Sequence, residues 1–381
     1  MKTNPLRQLE ALGQSIWLDY IQLELITSGK LKKLIDEDGL GGMTSNPSIF
    51  EKIIADGHDF DQDITKMTQA GKDINTIYAY LTQNAVRLAA DTFRDLYNKL
   101  EGEDGYVSLE VNPHLAHDTE ATLAEARHLW KSLDRPNVFI KVPATREGLP
   151  VIRKLISEGI NVNVTLLFGL PRYREVAEAY IAGLEDRAAA GGSLKNIASV
   201  ASFFLSRIDV LLDPLLEKIG LEKLSADKNE QGLIAKKMEG QVAIASAKIA
   251  YQIFHELFNS ARFKKLIEKG AGVQRLLWAS TGTKNPNYSD VKYVEALIGP
   301  QTVNTLPVET FDAYRDHGKP QELLNKDIET AQLIFQELPK LGINIDTVTQ
   351  QLENEGVDKF NQAFDQLMAA LKTKSAQKDT K

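Results

Sequence analysis

Lys141 stands inside the apolar run Val138-Phe139-Ile140-Lys141-Val142, which Pro143 closes. An ammonium group is expensive to desolvate, so a lysine there needs a reason. One reason is a buried ion pair with a carboxylate such as Glu110. The other is chemical. An exposed lysine at pH 7 is neutral in about one molecule in 2,500, whereas burial lowers its pKa and supplies free amine. A free amine meeting a carbonyl forms a Schiff base, an electron sink for breaking a C–C bond. Asp19 in "IWLDYI" and Glu110 in "VSLEVN" are two further charges in apolar segments. Carboxylates are the proton carriers that such chemistry requires. Taken alone, Asp19 fits a surface or helix-capping aspartate as well.

The polar residues around these charges are spaced by two. Ser108, Glu110 and Asn112 alternate with Val107, Leu109 and Val111, and Asn161, Asn163 and Thr165 alternate with Val162, Val164 and Leu166. Period two places each polar set on one face of a strand. For a single strand that face could be the wet side of an antiparallel sheet. For several parallel strands, buried on both faces, it must point to partners inside the protein.

The elements that position these residues follow from the wider pattern. Candidate strands lie at residues 16–21, 41–44, 106–111, 138–142, 161–168, 197–204, 276–280 and 302–306, eight in all. Helical patterns fill most gaps, at 75–100, 119–133, 149–158, 171–188, 206–219, 230–258 and 327–342. Strands alternating with helices argue for parallel βαβ units, and eight of them for an α/β fold of one closed (β/α)8 TIM barrel with additional helices. An open doubly wound sheet is the alternative, weakened because no G-x-G-x-x-G follows the first strand. The barrel is expected to span residues 1–372. That span includes a helical insertion at 208–275 and a C-terminal helix whose stripe is Val357, Phe360, Phe364, Leu367, Met368 and Leu371. Residues 373–381 read as a polar, frayed tail. Lys141 then sits at the carboxyl end of its strand, the end where the active sites of such barrels gather.

Composition narrows the function classes. With 381 residues, 43% hydrophobic and 25% charged, the chain can bury a large core. Its 52 acidic and 45 basic residues give a net charge of -7, which does not favour nucleic acid or an anionic membrane as partner. Cysteine is absent, so disulfides, thiol nucleophiles and cysteine metal sites are excluded. Of six histidines only His114 and His117 are close, and a lone H-x-x-H pair is usually an exposed loop or helix face. No apolar run approaches a membrane span, and "MKTNPLRQLEALGQ" lacks a signal-peptide core, so a cytoplasmic protein is expected.

Five segments, "MTSNPSIF" (43–50), "SLEVNPHLAHDT" (108–119), "FIKVPAT" (139–145), "GINVNVTLLF" (159–168) and "WASTGTKNP" (278–286), resemble the signature segments of the transaldolase family, in the family order. The insertion and tail resemble its longer bacterial-type members. The resemblance implies a class I aldolase-type barrel of the pentose phosphate pathway. Such an enzyme moves a dihydroxyacetone unit from sedoheptulose 7-phosphate to glyceraldehyde 3-phosphate, giving erythrose 4-phosphate and fructose 6-phosphate. By the same resemblance Lys141 is the Schiff-base lysine and Asp19 the acid/base at the donor C4 hydroxyl. Glu110 and Thr165 match the pair holding a catalytic water, and Asn46 and Asn163 the amides that bind donor hydroxyls. Sugar-phosphate substrates need an anion site, for which Arg207 and Ser280 match phosphate-binding family positions, and Ser202 is similar to a nearby donor-site serine. Shorter members follow the serine closely with an arginine. This chain has Thr281-Gly282-Thr283-Lys284 instead, which makes Lys284 the candidate replacement. Phe204 stands where the related fructose 6-phosphate aldolases carry tyrosine, which favours transfer over simple aldol cleavage. No metal or organic cofactor is implied. A Schiff-base aldolase for another sugar phosphate is the competing enzyme. A silent barrel that only senses sugar phosphates is expected to have lost one of Lys141, Asp19 and Glu110, and all three are present.

Overall fold

Eight parallel strands pair in chain order and close, β8 lying beside β1, in a computed structural model that describes residues 4–225 and 229–378. They are β1 (Gln14–Asp19), β2 (Leu40–Thr44), β3 (Tyr106–Glu110), β4 (Val138–Pro143), β5 (Val162–Leu167), β6 (Ser199–Phe204), β7 (Gln274–Ala279) and β8 (Thr302–Leu306). Helices connect them on the outside, so the fold is a (β/α)8 barrel with extra helices, as the alternation predicts.

Strand ends differ from expectation where a polar residue belongs to the ladder. β1 begins at Gln14 rather than residue 16, because Gln14 Nε2 donates to the Leu297 carbonyl (2.8 Å) and to Thr302 Oγ1 (2.9 Å). β7 begins at Gln274, whose Nε2 donates to Ser199 Oγ at 2.9 Å. Ser280, expected as the last strand residue, lies just beyond it with φ +55°.

Helix starts are written in capping residues. Asp73, Asp118 and Ser260 accept from the backbone N–H three residues on, satisfying donors that a first turn leaves free. The expected helix at 230–258 is two helices, Asn229–Met238 and Val242–Phe258. Gly240 between them has φ +66°, a conformation that glycine alone adopts at no steric cost. The segment between β6 and β7 thus holds four helices: Ser206–Ser225, those two, and Ala261–Ile267.

Two layers fill the barrel interior. Near the amino ends of the strands, Trp17, Tyr106 and Phe139 pack together, Tyr106 and Phe139 stacked with ring centroids 4.4 Å apart. Gly42 makes room for this layer, since a Cβ there would lie 2.7 Å from the Trp17 ring. Two residues further along the same strands, at the carboxyl ends, stand Asp19, Ser108 and Lys141. An apolar floor therefore lies beneath a polar layer.

The C-terminal helix, Ile345–Lys378, buries Val357, Phe360, Phe364, Leu367 and Leu371, the expected stripe, with Met368 partly buried beside them. Residues 373–378 are not frayed as expected: the helix continues through them. Lys374 Nζ donates to the Gly57 carbonyl (2.5 Å) and pairs with Asp61 (3.1 Å), and Ser375 is buried. Its polar side chains reach partners on another helix, a contact that composition does not reveal. The last three residues, 379–381, lie outside the described residues. Among the described residues no helix is long and apolar enough to cross a membrane.

Candidate active site

Strand register brings the charged residues together. Glu110 of β3 pairs with Lys141 of β4, Lys141 with Asn163 of β5, and Asp19 of β1 with Thr44 of β2. Adjacent positions on parallel strands point the same way, and here they point into the barrel. Lys141 Nζ lies 3.3 Å from Glu110 Oε2 and donates to the Ser45 carbonyl at 3.0 Å. Both side chains of this ion pair are more than nine-tenths buried. Burial pushes the Glu110 carboxyl up to about 7, against the pull of the Lys141 charge and hydrogen bond, with Asp19 adding to the rise. Burial also raises the Asp19 carboxyl above the usual range, while Lys141, a hydrogen bond from Thr44 and the Lys284 charge oppose the rise. Three titratable groups thus share one layer of the barrel.

The neutral groups around them are wired to one another. Asn163 is fully buried; its Nδ2 donates to Ser108 Oγ (3.1 Å) and its Oδ1 accepts from Ser202 Oγ (2.7 Å). Thr44 Oγ1 donates to Asp19 Oδ1 at 2.7 Å and lies 2.7 Å from Thr305 Oγ1. Thr165 is different: its Oγ1 is buried and has no hydrogen-bond partner in the protein. The next residue, Leu166, has φ +56°, and the β5–β6 register shifts between Val164 and Leu167. A left-handed leucine is a costly conformation that needs support from its surroundings. It interrupts the regular ladder directly after Thr165, and pairing resumes at Leu167 with Phe203. Asn46 caps the helix Pro47–Asp56, its Oδ1 accepting from Ile49 N at 3.0 Å, so its Nδ2 is the side-chain atom left to donate elsewhere.

A cationic corner lies at the ends of β6 and β7. Arg207, in the first turn of the helix Ser206–Ser225, lies over the Phe204 ring at 5.5 Å, and Phe204 packs against Phe168. Its Nη1 is buried without a hydrogen-bond partner. Burial lowers the guanidinium from its ordinary value, the Glu355 charge opposing. Ser280 Oγ is 2.9 Å from Ser206 Oγ, and Ser206 N donates to the Ser280 carbonyl, so the two loops are joined next to Arg207. Lys284 is exposed, but close enough for its charge to act on Asp19. The C-terminal helix closes over this corner at Gly356, where a Cβ would come within 3.1 Å of Leu166 and 3.7 Å of Arg207 Nη1.

His114 and His117 do not converge: one pairs with Asp365, the other with Glu147. Sequence reasoning passed over Thr44, Thr305, Ser108, Ser206 and the Ser45 carbonyl. Thr44 and Ser45 lie in the quoted "MTSNPSIF", and Ser108 in the alternating set of β3, so those three carried a signal. Thr305 and Ser206 did not, because their contacts are made only when distant segments meet.

Comparison with known proteins matches the sequence to one family. Residues 16–371 fit the family model described as Transaldolase/Fructose-6-phosphate aldolase. A protein of Trichodesmium erythraeum named Transaldolase is 49% identical over 376 residues, 98% of each chain. Transaldolase 2 of Nostoc punctiforme is 45% identical over 379 residues, again 98% of each chain. The Transaldolase of Mycobacterium tuberculosis is 44% identical over 368 residues, 96% of each. With a buried lysine–carboxylate pair in the barrel and a match along nearly its whole length, the chain belongs to the transaldolase/fructose-6-phosphate aldolase family.

Proposed function

We propose that the protein is a transaldolase that carries a dihydroxyacetone unit on Lys141. The observation that carries this reading is the buried Lys141–Glu110 pair, 3.3 Å apart, with Asp19 in the same layer. A carboxyl held near neutrality can take the proton that an ammonium must lose before it attacks a carbonyl. Lys141 Nζ then adds to C2 of sedoheptulose 7-phosphate. Glu110 and Thr165 hold the water exchanged as the carbinolamine dehydrates, which gives the unpartnered Thr165 hydroxyl a role. Asp19 accepts the C4 hydroxyl proton as the C3–C4 bond breaks, and the electron pair passes into the imine as an enamine. Erythrose 4-phosphate leaves. The enamine adds to C1 of glyceraldehyde 3-phosphate, Asp19 returns the proton, and hydrolysis of the new imine releases fructose 6-phosphate.

Asn46 Nδ2 and the Asn163–Ser202 pair hold donor hydroxyls in this reading. Arg207, Ser280 and Lys284 hold the phosphate, the unpartnered Arg207 Nη1 being the donor that a bidentate anion contact needs. No cofactor enters any step. The family also contains fructose 6-phosphate aldolases; a phenylalanine at position 204, which offers no hydroxyl to place a water or proton, favours transfer to an aldose. A cytoplasmic location fits phosphorylated substrates.

Borohydride trapping tests the mechanism. The protein is incubated with fructose 6-phosphate, reduced and digested, and the adduct is located by peptide mass. An adduct on Lys141 is expected. An adduct elsewhere, or none while Lys141→Ala stays active, would overturn it.

A further inference from the structure

The segment between β6 and β7 is far longer than a barrel connection needs, and beyond Arg207 near its start the proposed reaction gives it no task. Its contacts suggest one. Asp209 and Asp213 lie one turn apart on the helix that begins at Ser206, two and six residues beyond Arg207. Each carboxylate is shared in the same way. Asp209 Oδ1 accepts from the Ala243 backbone N–H (2.8 Å) and its Oδ2 from the Tyr293 hydroxyl (2.7 Å). Asp213 Oδ1 accepts from the Gly240 N–H (2.7 Å) and its Oδ2 from the Tyr288 hydroxyl (2.7 Å).

The two N–H donors flank the start of the inserted helix Val242–Phe258; Tyr288 belongs to the loop that follows β7, and Tyr293 to the short helix Lys292–Ala296 at the end of that loop. That loop carries Ser280 and Lys284, and is drawn closed around Lys284 by Thr283 Oγ1 donating to the Ser289 carbonyl at 2.8 Å. Lys292 Nζ sits 3.4 Å from the centroid of the Tyr288 ring. Three segments distant in sequence are thus joined by two parallel staples. One staple lies half a turn beyond Arg207, and the other reaches the loop of Lys284.

We infer that Asp209 and Asp213, with Tyr293 and Tyr288, are positioning residues that hold Arg207, Ser280 and Lys284 in register for phosphate, and that the inserted helices serve to complete these staples. The inference rests on the reading of Arg207 and Lys284 as phosphate ligands. The staples do not touch substrate. The Tyr288 hydroxyl fixes the loop, and the Tyr293 hydroxyl the short helix that ends it, against the Arg207 helix, and a shift of either side moves one ligand relative to the others.

Tyr288→Phe and Tyr293→Phe remove only the hydroxyls and leave the rings packed. The probes are inorganic phosphate, as a competitive inhibitor of the full-length protein, and free glyceraldehyde, as an acceptor without phosphate. Loss of one staple is expected to raise the phosphate Ki and the KM for glyceraldehyde 3-phosphate about three- to tenfold, less than the full worth of a hydrogen bond to a charged group because the staples act on the phosphate only through the position of its ligands. The KM for free glyceraldehyde should stay within about twofold, because that acceptor makes no phosphate contact. Asp213→Asn, which keeps the shape, should move the same constants in the same direction. A lowered Tm with an unchanged phosphate Ki, or an equal rise in both KM values, overturns the positioning role. Arg207→Ala separates the two layers of inference. If it raises the phosphate Ki while the tyrosine variants do not, the staples are structural only and the anion site stands. If it too leaves the Ki unchanged, the anion-site reading fails, and the inference with it.

Discussion

The two ends of the barrel interior both bury charge, and they treat it differently. At the amino end, Asp104 accepts from Trp17 Nε1 at 2.6 Å and lies 3.8 Å from Arg275, which also donates to Ser15 Oγ and to the Glu103 carbonyl. Asp104 and Arg275 therefore face protein partners. At the carboxyl end, Thr165 Oγ1 and Arg207 Nη1 are buried with none. A satisfied buried network stabilises one structure, whereas a donor left unpaired costs free energy that only a bound group can recover. Volume misleads here: a cavity of about 1130 Å³ opens at the amino end, lined in part by Ser15, Asp104, Tyr106 and Arg275. Unpaired acceptors occur at the amino end too, at Gln14, Asn137 and Gln274, and burial raises Asp104 there; what sets the carboxyl end apart is a lysine–carboxylate pair together with the unpaired Thr165 hydroxyl and Arg207 Nη1.

Substitutions at the two ends should therefore separate activity from stability. Lys141→Ala has the largest expected effect, a loss of at least about a thousandfold in kcat together with loss of the borohydride adduct, because no other group can form the imine. Glu110→Gln should lower kcat by about a hundredfold or more, in the range of a lost proton carrier. It carries a pH signature as well. Burial raises this carboxyl to about 7, so the ionised form needed to accept a proton builds up only as pH climbs through that value. kcat/KM of the unaltered protein should rise with pH across this region, and in Glu110→Gln that rising limb should be absent. A limb that persists would assign the titration to another group.

Arg207→Ala should act on binding instead, raising KM for phosphorylated substrates about ten- to a hundredfold with kcat largely retained, since a phosphate contact is mostly uniform binding. A fall in kcat alone would contradict that role. Smallest in activity should be Asp104→Asn at the opposite end. Steady-state assays should find kcat/KM within about twofold, while urea unfolding reports a loss of about 1–3 kcal/mol from a weakened buried hydrogen-bond network. A hundredfold loss of activity there would break the contrast between the ends.

Much of this site was legible in advance, for a specific reason. On β3, β4 and β5 the catalytic candidates are polar interruptions of apolar strands, and period two is a local property that sequence displays directly. β8 shows the limit of that rule. Thr302, Asn304 and Thr305 are all polar, yet only Thr305 meets Thr44 and Asp19's hydrogen-bond network inside the barrel. Thr302 bonds outward-lying Gln14 and Gly299, and Asn304 is buried with both amide atoms unpartnered. Alternation separates two faces without saying which one turns inward. The strand edges at Gln14 and Gln274 were missed for a related reason: the side-chain Nε2 of each donates to a residue on a neighbouring strand or the segment before it, far away in sequence.

The amino-acid sequence alone determined the alternation of strands and helices, the anomalous charges at Asp19, Glu110 and Lys141, and the resemblance that its motifs carry. These are set by residue type and short spacing. Tertiary structure alone decided that the three charges meet, that Glu110 is held near neutrality, and that the C-terminal helix runs on to Lys378 over the polar tail. It also decided that Asp209 and Asp213 tie the inserted helices to the loop of Lys284. Desolvation and hydrogen bonding depend on what surrounds a group in space, and barrel closure brings residues a hundred or more apart in the chain within a few ångströms of each other.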